Sequence, residues 1–295
     1  MRAMTALIWR EFLEHKGAFL IAPAVLLSAL FMLLLLAFFF GHSDVHQFGN
    51  LTMEGTQLYQ LALGGGFAMW MAYLLVALFF YYSDSFSADR RNNSLLFWKS
   101  MPQSDFKVLS SKALAGITLF PVLIMGFYLL TGVLIYLFSF VAVLNLPVIP
   151  LIGPIEMLGS WLMMGLAALV CLVLTIAWYA PFLAWVAGLS TLVRRWSIPL
   201  AFVVPAVITL VERIATLGRS DAARPIAAYL SFRAMSVLDG IDVPKIIIEG
   251  NITAPLTLIR EMLARYNWPQ AMLGLAVAVL MVYLAAEYRR RRTET

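Results

Sequence analysis

The chain has 295 residues, of which 62% are hydrophobic and only 13% charged, with a mean hydropathy of +0.87. Soluble globular chains run to about 45–50% apolar and about 25% charged residues, so these proportions exclude that class and indicate a membrane protein. The net charge of +5 does not indicate nucleic-acid binding, because the basic residues flank apolar segments instead of gathering on one soluble face.

Residues 2–16 read as an interfacial helix. At 100° per residue Ile8, Trp9, Phe12 and Leu13 share one arc, and Arg10, Glu11, Glu14 and His15 share the opposite one. Six apolar spans follow, at about 17–40, 61–82, 113–144, 157–190, 197–217 and 269–287. Each approaches or exceeds the roughly 20 residues that cross the hydrocarbon. The third and fourth are longer than a bilayer needs and are expected to tilt or to kink at Pro121 and Pro181. Gly64, Gly65 and Gly66 open the second span, either as a close helix–helix approach or as a flexible entry. Phe79, Phe80, Tyr81 and Tyr82 close it as an aromatic belt. The single cysteine, Cys171, lies inside an apolar run and reads as packing.

Lysine and arginine set the orientation. They precede the first span, fill 83–112, recur at Arg194 and Arg195, and cluster near the end of the chain as Tyr-Arg-Arg-Arg-Arg-Thr-Glu-Thr; segments 41–60 and 145–156 have none. By the positive-inside rule both termini are cytoplasmic, and the stretch from Gly218 to Trp268 is external. That stretch is broken by Pro225, Pro244, Gly250 and Pro255 and is expected to form short helices.

The loop from Ser83 to Lys112 is too long for a plain hairpin. Ser87 or Asp89 offers an N-cap for a short helix of its own, and Pro102 marks its end. Leu95, Leu96, Phe97 and Trp98 set apolar and aromatic surface beside Arg90, Arg91 and Lys99, the composition of a docking surface.

This loop, through Asp89, Arg90, Asn93, Ser94, Leu95, Pro102, Ser104 and Lys112, resembles the loop between the second and third spans in permeases of type V ATP-binding-cassette exporters. The resemblance extends over most of the chain, to the interfacial helix, the six spans and the returning outer segment. It implies an all-α membrane fold, a single permease domain over residues 1–295, with a cytoplasmic coupling helix gripped by a separate ATPase chain that binds ATP and Mg. It further implies a second permease copy, a homodimer or a pair with a homologous permease, in the bilayer of a bacterial inner membrane. Asp89, Arg90, Arg91, Asn93, Ser94, Leu95, Phe97 and Trp98, with Arg194 and Arg195, are then the ATPase-coupling residues. The chain has no G-x-x-x-x-G-K-[ST] phosphate loop, so hydrolysis is expected on the partner and not on this chain.

Glu212 and Arg213 lie in the outer third of the fifth span and are candidates for an outer gate or a cargo contact. His42, Asp44 and His46 have the spacing of a thin zinc site and read better as exposed loop residues. Two other classes stand against the exporter. An ion-coupled carrier normally needs charges near the bilayer centre, and spans one to four have none there. An intramembrane enzyme needs a catalytic set that the spans lack. Few polar residues within the spans favour a lipidic, amphipathic or peptide-like cargo.

Overall fold

The computed structural model describes residues 2–40, 53–91, 104–145, 151–193, 196–217, 224–235, 237–250 and 253–294. The outer-loop histidines, residues 92–103 with Asn93, Ser94, Leu95, Phe97 and Trp98, and the pair Arg194–Arg195 lie outside them. The described residues form eleven α-helices and two π-helical turns, without a strand. In chain order the helices are α1 (Arg2–Lys16), α2 (Ala22–Phe40), α3 (Gly55–Arg91), α4 (Asp105–Leu114), α5 (Phe120–Asn145) and α6 (Pro154–Val193). They continue as α7 (Ser197–Ala215), α8 (Pro225–Ala234), α9 (Val243–Gly250), α10 (Ala254–Arg265) and α11 (Trp268–Glu294).

Six helical stretches are long and apolar enough to cross a membrane: Met4–Leu36, Gly55–Phe86, Phe106–Val143, Pro154–Val193, Ser197–Ala215 and Trp268–Arg291. The protein is therefore an all-helical, membrane-spanning chain. Several helices outrun the hydrophobic segments that announce them. At 1.5 Å per residue the 37 residues of α3 measure about 55 Å against a hydrocarbon core of about 30 Å, so the helix projects into water. That projection corrects the expected N-cap at Ser87 or Asp89; the remainder of the expected short helix lies outside the described residues. The span continues without a break through Asp89, Arg90 and Arg91, and an N-cap needs non-helical backbone. Among the described residues of the loop Ser104 is an N-cap, extended at φ −73° and ψ 146°, and its Oγ accepts from the Lys107 amide at 3.3 Å to start α4.

The first and third spans are each interrupted in the same way. A π turn occupies Gly17–Ile21 ahead of Pro23, and another occupies Ala115–Leu119 ahead of Pro121. A proline has no N–H for the carbonyl four residues back and its ring crowds that carbonyl. Those carbonyls belong to Phe19 and Ile117, both inside the widened turns, where longer hydrogen bonds relieve the conflict. Pro121 thus acts on the turn before it. Pro181 sits well inside α6, which remains helical from Pro154 to Val193.

Helix α6 is the centre of the molecule: half of its most apolar window is buried, against 6% for α7. It packs on α3, α5, α7, α10 and α11. In hydrocarbon the helices have no hydrophobic drive to associate, so polar handles and close packing hold them. Trp70 donates to Thr131 Oγ1 at 2.8 Å, Trp161 to the Leu129 carbonyl at 3.0 Å, and Tyr59 to the Gly132 carbonyl at 3.0 Å. Gly64 to Gly66 meet only ordinary contacts or open space, so they are not the close approach.

Between α7 and α11 the chain folds back as three short helices. Gln57, near the start of α3, donates to the Ile248 carbonyl in α9 at 2.8 Å. Tyr266 donates to the Leu174 carbonyl at 3.0 Å, and Trp178 to that of Arg233 at 3.0 Å. Arg233, in the last turn of α8, is 1% exposed, its guanidinium 4.3 Å from the Trp178 ring centre. A Cβ on Gly274 would stand 1.9 Å from its Nη2, so α11 accepts this side chain only because residue 274 is glycine.

Candidate functional site

Of the four described charged side chains that are buried, Glu11 and Lys112 meet where the loop 83–112 leaves and re-enters the bundle, while Arg233 and Arg289 lie on α8 and α11. Lys112, 1% exposed, donates from Nζ to Glu11 Oε1 at 2.8 Å, and Glu11 is 2% exposed. The Tyr81 hydroxyl lies 3.1 Å from Glu11 Oε2 and 3.0 Å from the Lys112 carbonyl. Tyr82 donates to the neighbouring Ala113 carbonyl at 2.8 Å. The two ends of the loop are thereby fastened to each other and to α1.

Aromatic packing continues this clamp toward the membrane. His15 lies edge-on to Tyr81 at 4.8 Å, and Tyr81 lies edge-on to Phe120 at 4.9 Å. Phe19 stacks on Phe120 at 3.7 Å and 6°, which joins the two π-helical interruptions face to face. On the other side Ser197, the first residue of α7, donates to the Ser83 carbonyl at 3.0 Å, and Phe79 meets Phe202 of α7 at 5.4 Å. The first, second, third and fifth spans therefore meet at one cluster.

This arrangement modifies two expectations. One member of the polar arc of α1 is not solvated: Glu11 is turned inward to Lys112, whereas Glu14 is exposed and Arg10 and His15 are half-buried, and Trp9 and Leu13 are 59% and 49% exposed. The helix presents its aromatic arc to the membrane and its carboxylate to the protein. The aromatic belt also divides. Phe80 is exposed, whereas Tyr81 and Tyr82 are buried clamps. Burying a charge pair costs desolvation that only close geometry offsets, and hydropathy alone carries no sign of such a pairing.

Glu11, Glu14 and His15 bring ligand atoms within 4.8 Å of one another, a metal-like grouping. The Glu11 carboxylate is already held by Lys112 and Tyr81, and Glu14 pairs with Arg10 at 2.6 Å. The donor set is better described as ion pairs.

Glu212 and Arg213 lie elsewhere and do not act together. The Glu212 carboxylate accepts from the amides of Ile226 and Ala227 at 2.9 and 2.8 Å, and so caps the N-terminus of α8. Arg213 is exposed. An anion at a helix N-terminus satisfies free N–H groups and the positive end of the dipole. Glu212→Gln keeps only one acceptor oxygen, and about 1 kcal/mol of local stability should be lost. Hydrogen exchange at Ile226 and Ala227 should quicken; unchanged exchange would refute the cap. Near the end of α11, Glu287 is shared by Arg290 and Arg291, each at 2.8 Å, as their spacing leads one to expect.

Compared with protein-family models, with curated proteins and with solved structures, the chain matches none.

Proposed function

We propose that this chain is the membrane-spanning subunit of an ATP-driven exporter, coupled through residues 83–112 to a separate ATPase chain that carries ATP and Mg. The observation that supports this reading is the clamp at the two ends of that loop. Tyr81, Tyr82, Glu11, Lys112 and Ser197 fasten it to the first, second, third and fifth spans. A load applied at Asp89–Trp98 would reach four spans together, which is what a coupling element must do. Such a displacement drives transport only if the two permease states bind the loaded ATPase differently.

In this reading Phe97 and Trp98 supply the buried contact, and Arg90 and Arg91, with Arg194 and Arg195, complement an acidic rim. A second permease copy would complete the path against α2 and α7, whose surfaces are mostly uncovered within one chain. The cargo is lipidic, amphipathic or peptide-like, and the working site is a bacterial inner membrane with both termini cytoplasmic.

The test is a Phe97→Ala/Trp98→Ala variant purified from native membranes. Aromatic hot spots cost about 2 kcal/mol or more when truncated, roughly thirtyfold in affinity. The variant should insert and fold normally and lose its nucleotide-binding partner. An undiminished partner in a well-folded variant would defeat the docking role of these two residues.

One observation favours a second reading, an ion-coupled carrier of anions. Arg233 is buried beside Trp178, and none of its three guanidinium nitrogens has a hydrogen-bond partner among the described residues. A buried cation of this kind is a functional feature in membrane proteins. This reading predicts transport by the chain alone, and copurification of an ATPase separates the two.

A further inference from the structure

Arg233 brings a charge into a place that gives it no counter-ion. It is 1% exposed, and its Nε, Nη1 and Nη2 are closed to water and have no hydrogen-bond partner among the described residues. A guanidinium keeps its proton in proteins, so the group cannot escape burial by becoming neutral. The Trp178 ring 4.3 Å away attracts the cation through its face and takes none of its N–H groups. The polar side chains around it are already committed. The Trp178 indole donates to the Arg233 carbonyl, Tyr266 to that of Leu174, and Tyr179 to those of Ala234 and Met235.

No described carboxylate of the surrounding elements serves it either. Glu212 caps the opposite end of α8, Glu261 of α10 pairs with Arg265 at 2.9 Å, and Glu287 of α11 is shared by Arg290 and Arg291. Glu156, at the far start of α6, and Asp239 are exposed. A sealed and unpaired charge is unfavourable, and within a membrane bundle it marks a place where an ion is met. The donor chemistry narrows the ion. A guanidinium presents its N–H groups as a planar fork, which fits two oxygens of a carboxylate or phosphate better than one spherical halide. The group sits against Gly274, about 9 Å along α11 from Trp268 at 1.5 Å per residue, hence inside the span. A ligand reaches it when α8 lifts from α6 and α11.

We propose that Arg233 anchors an oxyanion site, which takes the carboxylate or phosphate group of a soluble anion or of a lipid. The inference starts from the cation that favours the second reading above, but it concerns binding alone and does not require that the ligand be transported.

The experiment follows the thermal unfolding midpoint of the full chain in a neutral detergent. In one arm inorganic phosphate or acetate replaces chloride at constant ionic strength; in the other, phosphatidylglycerol replaces phosphatidylcholine in the micelle. A ligand of the native state raises the midpoint once its concentration passes its dissociation constant. A rise with phosphate or acetate assigns a soluble oxyanion, and a rise with phosphatidylglycerol alone assigns a lipid headgroup; either supports the site. Arg233→Met should fold and lose the rise entirely. Arg233→Lys keeps the charge without the fork and should bind about tenfold more weakly, the effect of one charge-assisted hydrogen bond. Both arms are equilibrium measurements in micelles, where nothing crosses a membrane, so their outcome is separate from the carrier test. No rise in either arm would overturn the proposal. So would a rise that Arg233→Met or Arg233→Lys retains in full.

Discussion

Replacing Lys112 by Met is expected to cost about 3–5 kcal/mol of stability, the price of leaving one buried charge without its partner. Glu11 and Lys112 are 2% and 1% exposed and 2.8 Å apart, so neither can turn to water when the other is removed. Glu11→Gln should cost a similar amount, because it leaves the ammonium buried against a neutral amide. The double variant Glu11→Leu/Lys112→Met removes both charges and should recover most of the loss, since a buried pair is often no more stable than apolar residues of similar size. Denaturant unfolding in detergent micelles measures all four corners of the cycle. Single variants that cost under about 1 kcal/mol, or losses that simply add in the double variant, would show that the pair is not coupled as described.

The second large effect is expected at Gly116. A Cβ there would lie 2.2 Å from the Tyr82 hydroxyl oxygen and 2.5 Å from Cζ of the same ring. Tyr82 is 3% exposed and its hydroxyl is bound to Ala113, so Gly116→Ala must expel the ring and break that bond. Overpacking of about 1–3 kcal/mol adds to about 1–3 kcal/mol for a stranded hydroxyl, a combined loss of roughly 2–6 kcal/mol. Tyr82→Phe alone should cost about 1 kcal/mol, because the ring stays in place. Adding Tyr82→Leu to Gly116→Ala should relieve the clash and return part of the stability. The same unfolding measurement decides; a Gly116→Ala variant as stable as wild type would contradict the close packing of this turn.

What the sequence makes legible here is the lipid-facing part of the molecule. Hydropathy locates all six long apolar helices because it reports transfer into hydrocarbon, and every one of them has to make that transfer. It places their ends poorly where a helix leaves the membrane and continues in water, as α3 does beyond Tyr82 and α4 does before Ala113. The polar features were harder to read for a related reason. The arc of α1 with Arg10, Glu11, Glu14 and His15 is correct as a pattern, yet Glu11 faces a lysine one hundred and one residues away in the chain. Nothing local to residue 11 encodes that partner. Glu212 announces a charge in an apolar stretch, and its role is fixed by the amide of Ile226 fourteen residues later, in the first turn of α8. Gly116 and Gly274 were silent among the glycines, because a close approach is a property of the neighbour, Tyr82 or Arg233, and not of the glycine itself. Lys112 could be singled out from the sequence, as the basic residue closing the loop, although its burial could not.

The loop clamp gives the coupling account its most direct test. Wild-type protein, purified from its native membrane in mild detergent under conditions that keep complexes intact, is assayed for a co-purifying nucleotide-binding chain and for ATP hydrolysis. The account predicts a stoichiometric partner with ATPase activity, held by residues 83–112 and released by the Phe97→Ala/Trp98→Ala variant. Wild-type protein that is intact, free of any nucleotide-binding partner and still able to move its cargo in reconstituted vesicles without ATP would contradict it.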